Sequence, residues 1–337
     1  MKSSKGRSNK KAASLAATTD SVTSTATAAT NTSMHPANPH LTGYDMAALC
    51  VSYPALTDFL VTTPRGEQSI NFADPVAVKR LNQALLAHHY RLPLWDVPDG
   101  YLCPAVPGRL DYLLYLADLL KSSHLGKTPK KSQLKLLDLG CGANLIYALL
   151  AARHLGWQVL ASDIDQGALA HGATLLAQHQ LTDRIELRQQ QHSQHIFDHL
   201  LKAGEYIDVT LCNPPFHRSA EEAAAGSLRK RANLGLAADS AALNFAGLSH
   251  ELWCEGGELQ FIQRMMQQSV AVGQQVYWFS SLVSKKEHLA PLQATLKNLG
   301  VSAQQVVEMA QGNKQSRFIA WTFLTPAQQQ LWRQHRW

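Results

Sequence analysis

The sequence lacks any apolar run long enough to cross a bilayer. Its longest, residues 110–120, is broken by Asp111 and Asp118 and falls well short of the roughly 20 residues that a spanning helix needs. An apolar signal-peptide core is missing too. Paired cysteines are also absent. The five that exist, Cys50, Cys103, Cys141, Cys212 and Cys254, form no C-x-x-C and have no histidine pattern beside them. That argues against a structural metal and for free thiols in a reducing compartment, so a cytoplasmic location is expected. Cys141 and Cys212 read as small space-fillers, because no histidine or lysine motif adjoins either of them. Charge is sparse at 17% against a hydrophobic content of 45%, the balance of a well-buried α/β protein with a polar surface rich in Gln and His. Internal repeats are absent as well.

The 337 residues exceed the usual domain, so one large domain with an extension, or two domains, is expected. The formal charge of +6 is unevenly placed: Lys2, Lys5, Arg7, Lys10 and Lys11 face only Asp20 in residues 1–33, which therefore supply +4 of it. That stretch is Ser, Thr, Ala and Lys and cannot bury enough surface to fold, so a disordered basic tail is expected. It either adds sequence-independent affinity for phosphate or is a solvated terminus without a partner. Its lysines and lack of amphipathic period disfavour a transit peptide.

Residues 34–130 read as a mainly helical extension. A helical stretch over residues 44–60 is broken at Pro54, and a firm helix opens with Asp74 as N-cap and Pro75 in its first position. The apolar face of that helix is Val76, Val78, Leu81, Leu85, Leu86 and Tyr90. A turn-rich loop over residues 93–108 leads to a helix over 110–120, with Arg109 at its mouth. A cation near a helix start is mildly unfavourable, which hints at a bound anion or marks an ordinary surface charge.

Residues 131–337 alternate between strand-like and helix-like runs, as a parallel sheet with crossover helices requires. Strands are expected at residues 134–139, 159–161, 185–187, 207–212, 276–283 and 318–323, and helices at 145–155, 166–180, 258–266 and 289–299. Three motifs sit on this frame. The first strand runs into Asp138-x-Gly140-x-Gly142, two glycines where backbone must pass close to a ligand. Leu145 stands where a dinucleotide fold has its third glycine, and an Asp precedes the pair, a methyl-donor pattern rather than a nicotinamide one. Asp163 ends the second strand at the distance of a ribose-binding acid, with Asp165 as a second candidate or as a helix N-cap.

The third motif is Asn213-Pro214-Pro215-Phe216, which closes the strand 207–212. Two prolines forbid the strand to continue. An amide, exposed carbonyls and an aromatic face on one stiff corner suit a flat heterocycle bearing an amino group, although Asn-Pro alone is also an ordinary turn. In order along one α/β unit, the three motifs indicate S-adenosylmethionine beside a flat amine.

The chain resembles the large-subunit ribosomal RNA methyltransferase F family. The likeness spans about residues 34–325 and rests on Pro104 to Arg109 (PAVPGR), Leu137 to Asn144 (LDLGCGAN), Leu211 to His217 (LCNPPFH), Trp253 to Glu258 (WCEGGE) and Ser316 to Phe323 (SRFIAWTF). It implies a Rossmann-like class I S-adenosylmethionine-dependent methyltransferase fold, with a seven-stranded, mostly parallel sheet ending in an antiparallel hairpin built from residues 276–283 and 318–323. It also implies methylation of the exocyclic N6 of one adenosine in 23S rRNA, on naked RNA or an assembly intermediate, by a monomer without metal. Arg109 is expected to hold the methionyl carboxylate, and Asp138, Gly140, Gly142, Asn144, Asp163 and Asn213 to contact the cofactor. A polar residue within 189–195 is expected against its adenine. In the mechanism expected, Asn213 and the Pro214 carbonyl accept the two amino hydrogens and Phe216 stacks on the base. Arg229, Lys230 and Arg231 form a candidate RNA clamp or a solvated face. Rival readings are an amino methyltransferase for guanine N2, another adenine or protein glutamine, and a non-catalytic ribosome-assembly factor on the same fold.

Overall fold

The computed structural model describes residues 34–130, 133–219, 221–222, 249–311 and 314–337. The expectations for residues 1–33 and for Arg229, Lys230 and Arg231 lie outside them. The described N-terminal part contains α1 (Met46–Ser52), a two-stranded antiparallel ribbon of β1 (Leu60–Thr62) and β2 (Gln68–Ile70), α2 (Pro75–Tyr90) and α3 (Val106–Ser123). Asp74 caps α2 as expected, its Oδ1 accepting from Val76 N at 2.8 Å. The apolar face of α2 is buried at Leu81, Leu85, Leu86 and Tyr90, but Val76 is exposed. At the first turn a residue still lies beyond the packed surface. Helix α3 starts ahead of the expected Leu110 because Pro107 lies in its first turn, where a missing N–H costs nothing.

Five strands run parallel: β3 (Lys135–Leu139), β4 (Gln158–Asp163), β5 (Ile185–Gln189), β6 (Ile207–Cys212) and β7 (Val276–Leu282). Strand β9 (Lys314–Thr322) is antiparallel to both β7 and β8 (Ala303–Gln311), which completes the seven-stranded order β5-β4-β3-β6-β7-β9-β8. The expected antiparallel pairing of 276–283 with 318–323 is present as β7 with β9, but the hairpin itself is β8 with β9, and the sequence reading, which left out β8, is corrected there. β8 reads Ala-Gln-Gln-Val-Val-Glu-Met-Ala-Gln, an edge strand whose polar content hides it from a search for apolar runs.

Alternation along the strands divides the core between the two sheet faces. Leu136, Val159 and Val209 face the side covered by α2, α3 and α4 (Ile146–Leu150), while Leu137, Leu160 and Cys212 face α6 (Gly257–Ser269) and α7 (Leu289–Asn298). Helix α5 (Gln166–Gln178), whose Leu175 and Leu176 join the first of these two cores, is capped by Asp165 through Gly167 N at 2.8 Å. The helix expected over 145–155 ends in a π turn, Ala151–Leu155. A last helix, α8 (Pro326–Arg336), went unforeseen although Thr325 and Gln328 form a capping box at its start. It is tied to the sheet at the buried Asp208 on β6, whose Oδ1 accepts from Trp332 Nε1 at 2.8 Å and Trp337 Nε1 at 2.7 Å.

Candidate active site at the switch point of the sheet

Chain order reverses at β3: β4 and β5 lie on one side of it, β6 and β7 on the other. A ligand crevice opens at such a point, beyond the carboxyl ends of the strands. The register pairs Leu139 with Cys212, so the glycine loop and the Asn-Pro-Pro corner leave adjacent strands at the same level. A cleft of about 830 Å³, its open mouth included, lies there.

Gly140 has φ +73° and Gly142 φ +60°, the left-handed region that a β-carbon disfavours. A β-carbon on Gly140 meets no atom within 4 Å; that bare edge is itself part of the cleft lining. The loop is pinned to the end of β4: Gly140 N and Cys141 N both donate to Ser162 O, at 2.9 and 3.0 Å. Asp163 completes the pin, its Oδ2 accepting from Gly142 N at 2.8 Å and its Oδ1 from Asp165 N at 3.0 Å. Asp165, besides capping α5, accepts from Tyr101 Oη at 2.7 Å. Burial and that carboxylate push the tyrosine hydroxyl up to about 12.

Asp138, 1% exposed, has no hydrogen-bond partner for either carboxyl oxygen among the described residues. Burial, and next the charge of Asp163, push its carboxyl up to about 8 against the opposing pull of the Arg109 guanidinium and the Ala148 backbone. Arg109, in the first turn of α3, donates from Nη1 to Tyr147 Oη at 2.8 Å and stands over that ring at 5.3 Å. An orphaned carboxyl, a guanidinium and a bare glycine edge together form a zwitterion-sized set of charges. They fit the amino-acid end of S-adenosylmethionine.

The Asn-Pro-Pro corner is built as stiffly. Phe216 N and His217 N both donate to Leu252 O, at 3.1 and 3.0 Å, and Cys254 N donates to His217 O at 3.1 Å. None of these bonds uses the Asn213 side chain, whose Oδ1 is buried with no partner among the described residues. Glu251, adjoining Leu252, accepts from Leu102 N through Oε2 at 3.0 Å, and its Oε1 would lie 2.9 Å from a β-carbon on Gly142. It thereby joins the extension, the glycine loop and the Asn-Pro-Pro corner.

Of the residues singled out in the sequence, Gly140, Asp163, Cys212, Asn213 and Pro215 line the cleft, together with Leu102, Leu139, Ser162, Ile164, Gln190, Ser193, His195, Ile196, Glu251 and Phe261. Asp138, Arg109 and Gly142 stand behind that lining. Asn144 is turned into structure instead: its Nδ2 donates to Leu102 O at 3.1 Å and its Oδ1 accepts from Ile146 N at 3.0 Å. Pro214 is buried, and Phe216 is half-buried outside the lining. Within 189–195, Gln190, Ser193 and His195 reach the cleft. The Gln190 side chain is held by Asp198 O and His192 N. Ile164, 40% exposed between the two aspartates, supplies an apolar wall. Ile164 and Phe261 carried no signal of their own, and Glu251 lies 149 residues from its partner. Burial pushes the Cys141 and Cys212 thiols well above their ordinary value, in keeping with space-filling.

Fold and site together define a class I S-adenosylmethionine-dependent methyltransferase. Residues 28–325 match the family described as RNA methyltransferase. Ribosomal RNA large subunit methyltransferase F of Pseudomonas aeruginosa (strain LESB58) is 50% identical over 308 residues, 90% of this chain and 92% of that one. Its counterpart in Enterobacter sp. (strain 638) is 51% identical over 295 residues, 87% of this chain and 96% of that one. The catalytic domain of human METTL16 in complex with MAT2A 3′UTR hairpin 1 is 30% identical with a TM-score of 0.74, over 87% of this chain and 96% of that one. The N-terminal domain of human METTL16 in complex with SAH is 28% identical with a TM-score of 0.69, over 86% and 99%. The chain belongs to this RNA methyltransferase family.

Proposed function

We propose that the protein methylates the exocyclic N6 of one adenosine in 23S rRNA, acting in the cytoplasm as a monomer on naked RNA or an assembling large subunit. The observation that carries this reading is the unpartnered Oδ1 of Asn213, at the level of the glycine loop on the neighbouring strand. A buried acceptor without a donor is uncommon in a folded protein, and an amino hydrogen of the substrate fits it. The ribosomal RNA methyltransferase F relatives, each about half identical to the chain, support the RNA.

S-adenosylmethionine, when bound, supplies an electrophilic methyl carried on a sulfonium. Arg109 would pair with its carboxylate, Asp138 would face its ammonium, and Gly140 and Gly142 would let the backbone approach it. The Asp163 carboxylate accepts two backbone donors and keeps lone pairs for ribose hydroxyls. On the acceptor side an aromatic amine is a weak nucleophile, because its lone pair is delocalised into the ring. Asn213 Oδ1 and the Pro214 carbonyl accept its two hydrogens, localise that pair and orient it for in-line attack. Phe216 stacks on the extruded base, which is worth roughly 1–3 kcal/mol. Arg229, Lys230 and Arg231 supply phosphate contacts.

Mass spectrometry of rRNA nucleosides from a strain lacking the gene, with a labelled-cofactor assay on naked and assembled RNA, tests this reading. Loss of one N6-methyladenosine and its restoration by the purified protein is the expected result. Label appearing on guanine or on protein would replace it with an amino methyltransferase of another specificity.

A further inference from the structure

Strand β7 is the neighbour of β6 in the sheet, with Val209 opposite Trp278. The turn that follows β7, residues 283–288, therefore rises beside the Asn213 corner that follows β6, about one strand spacing of ~4.8 Å away at its root. This turn is anchored by unusually expensive means. Glu258, 1% exposed at the start of α6, accepts from Ser284 N at 2.7 Å through Oε1 and pairs with the buried His288 Nδ1 at 2.7 Å through Oε2. From the other side, Val283 N donates to Arg317 O at 2.9 Å, and Arg317 Nη1 donates to Ser284 O at 3.2 Å. Burying a glutamate and an arginine is costly unless they are fully engaged. Here Glu258 commits both oxygens to this one surface turn, while Arg317 divides between the turn and Glu308, 3.5 Å away.

That turn presents Lys285 and Lys286, both exposed, and neither has an ion-pair partner among the described residues. The rim continues onto the acceptor corner. Arg218 follows His217 directly, and its Cγ lies 2.7 Å from where a β-carbon on Gly257 would stand, so Gly257 is the seat on which it rests. The Arg218 N–H, donating to Glu222 Oε2 at 2.7 Å, holds that carboxyl below its usual range, and the charges of His217, Lys285 and Arg218 add to the effect. Arg218 and Lys285 thus both stand near Glu222, just beyond the Asn213 corner, and Lys286 adjoins Lys285 on the turn.

We infer that Lys285 and Lys286, with Arg218 beside them, form a phosphodiester-binding rim that grips the RNA backbone next to the nucleotide inserted at Asn213. The inference rests on the RNA substrate proposed above. A base drawn out of its stack leaves its own phosphates at the mouth of the pocket, and cations held on a rigid turn there fix the register of the strand without reading sequence. Lysine suits this task, as a point charge on a flexible stem.

The test is charge reversal, Lys285→Glu with Lys286→Glu, together with the milder double change to Ala, in the full chain. Affinity for a 23S rRNA transcript is measured by fluorescence anisotropy across a salt series, SAH affinity by calorimetry and methyl transfer in the same preparations. Each single-strand phosphate contact contributes about 0.7 to the slope of log K against log salt. Loss of two contacts in the Ala variant lowers the slope by about 1.4, equivalent to roughly tenfold weaker binding near physiological salt. SAH affinity stays at the wild-type value. An unchanged slope in both variants, beside a wild type that methylates the transcript, overturns the rim alone. A wild type without turnover on ribosomal RNA in either form overturns the reading beneath it.

Discussion

Replacing Asn213 by Ala separates the function of this residue from its contribution to stability, because the two have opposite signs. In the free protein its Oδ1 is buried without a partner, a condition that costs about 1–3 kcal/mol. The corner does not depend on that side chain. Leu252 O holds Phe216 N and His217 N, and the two prolines fix the backbone. Removing the amide therefore leaves the cofactor-free protein as stable as the wild type or slightly more so. In the transition state proposed above the same atom would accept from the amine as positive charge develops, and losing one such preorganised group costs about 10²–10³ in kcat, or roughly 2.7–4 kcal/mol. Single-turnover transfer of labelled methyl to rRNA, calorimetry with SAH and thermal unfolding are measured on one preparation. The expected pattern is a collapse of the chemical step with SAH affinity within about threefold and no loss of Tm, the threefold margin being well under 1 kcal/mol. Turnover within about tenfold of wild type, or a destabilised variant, would refute the reasoning, since the first leaves more than half the expected barrier change unaccounted for.

Three further outcomes follow from the same geometry. Asp138→Asn raises the thermal stability of the cofactor-free protein near neutral pH while weakening SAH binding. Burial lifts the carboxyl from its ordinary 3.8 to about 8, so the folded state keeps a proton that the unfolded chain releases. Wild-type stability is thus fully present below about pH 4 and declines as pH rises towards 8; a constant Tm difference across that window would contradict it. Gly140→Ala places a methyl in the cleft at φ +73°, with about 1–2 kcal/mol of backbone strain and SAH affinity reduced at least about tenfold by calorimetry, a step of ~1.4 kcal/mol. Asp208→Ala strands three donors, Lys135 N and the Trp332 and Trp337 indoles, and lowers unfolding free energy in urea by about 2–4 kcal/mol while SAH affinity is retained.

Much of the fold was legible because its signals are local. The glycines of the donor loop adopt the left-handed conformation that only their type permits cheaply. Asp74 and Asp165 cap the helices that follow them, and the prolines end β6 where a missing N–H must end it. Strand β8 was lost because an edge strand needs apolar residues on one face only, and α8 because its capping box precedes a helix dominated by Gln and Arg. Asn144 shows the limit from the other side: its motif suggested a cofactor ligand, yet its amide is committed to Leu102 and Ile146. No pattern in the sequence announces such a commitment, because the partner comes from a loop far away in the chain.

By itself the sequence determined the chemistry: an amide on a proline-stiffened corner, a glycine loop after an aspartate, and the alternation of strands and helices that carries them. Those properties depend on residue type and near-neighbour spacing, which backbone sterics convert directly into conformation. Tertiary structure decided which groups meet. Leu139 beside Cys212 follows from strand order, and Glu251 against Leu102 from how the connections beyond the sheet pack on one another. Strand order is set by how both faces of the sheet are covered at once. An apolar run reads the same wherever in the sheet it comes to lie.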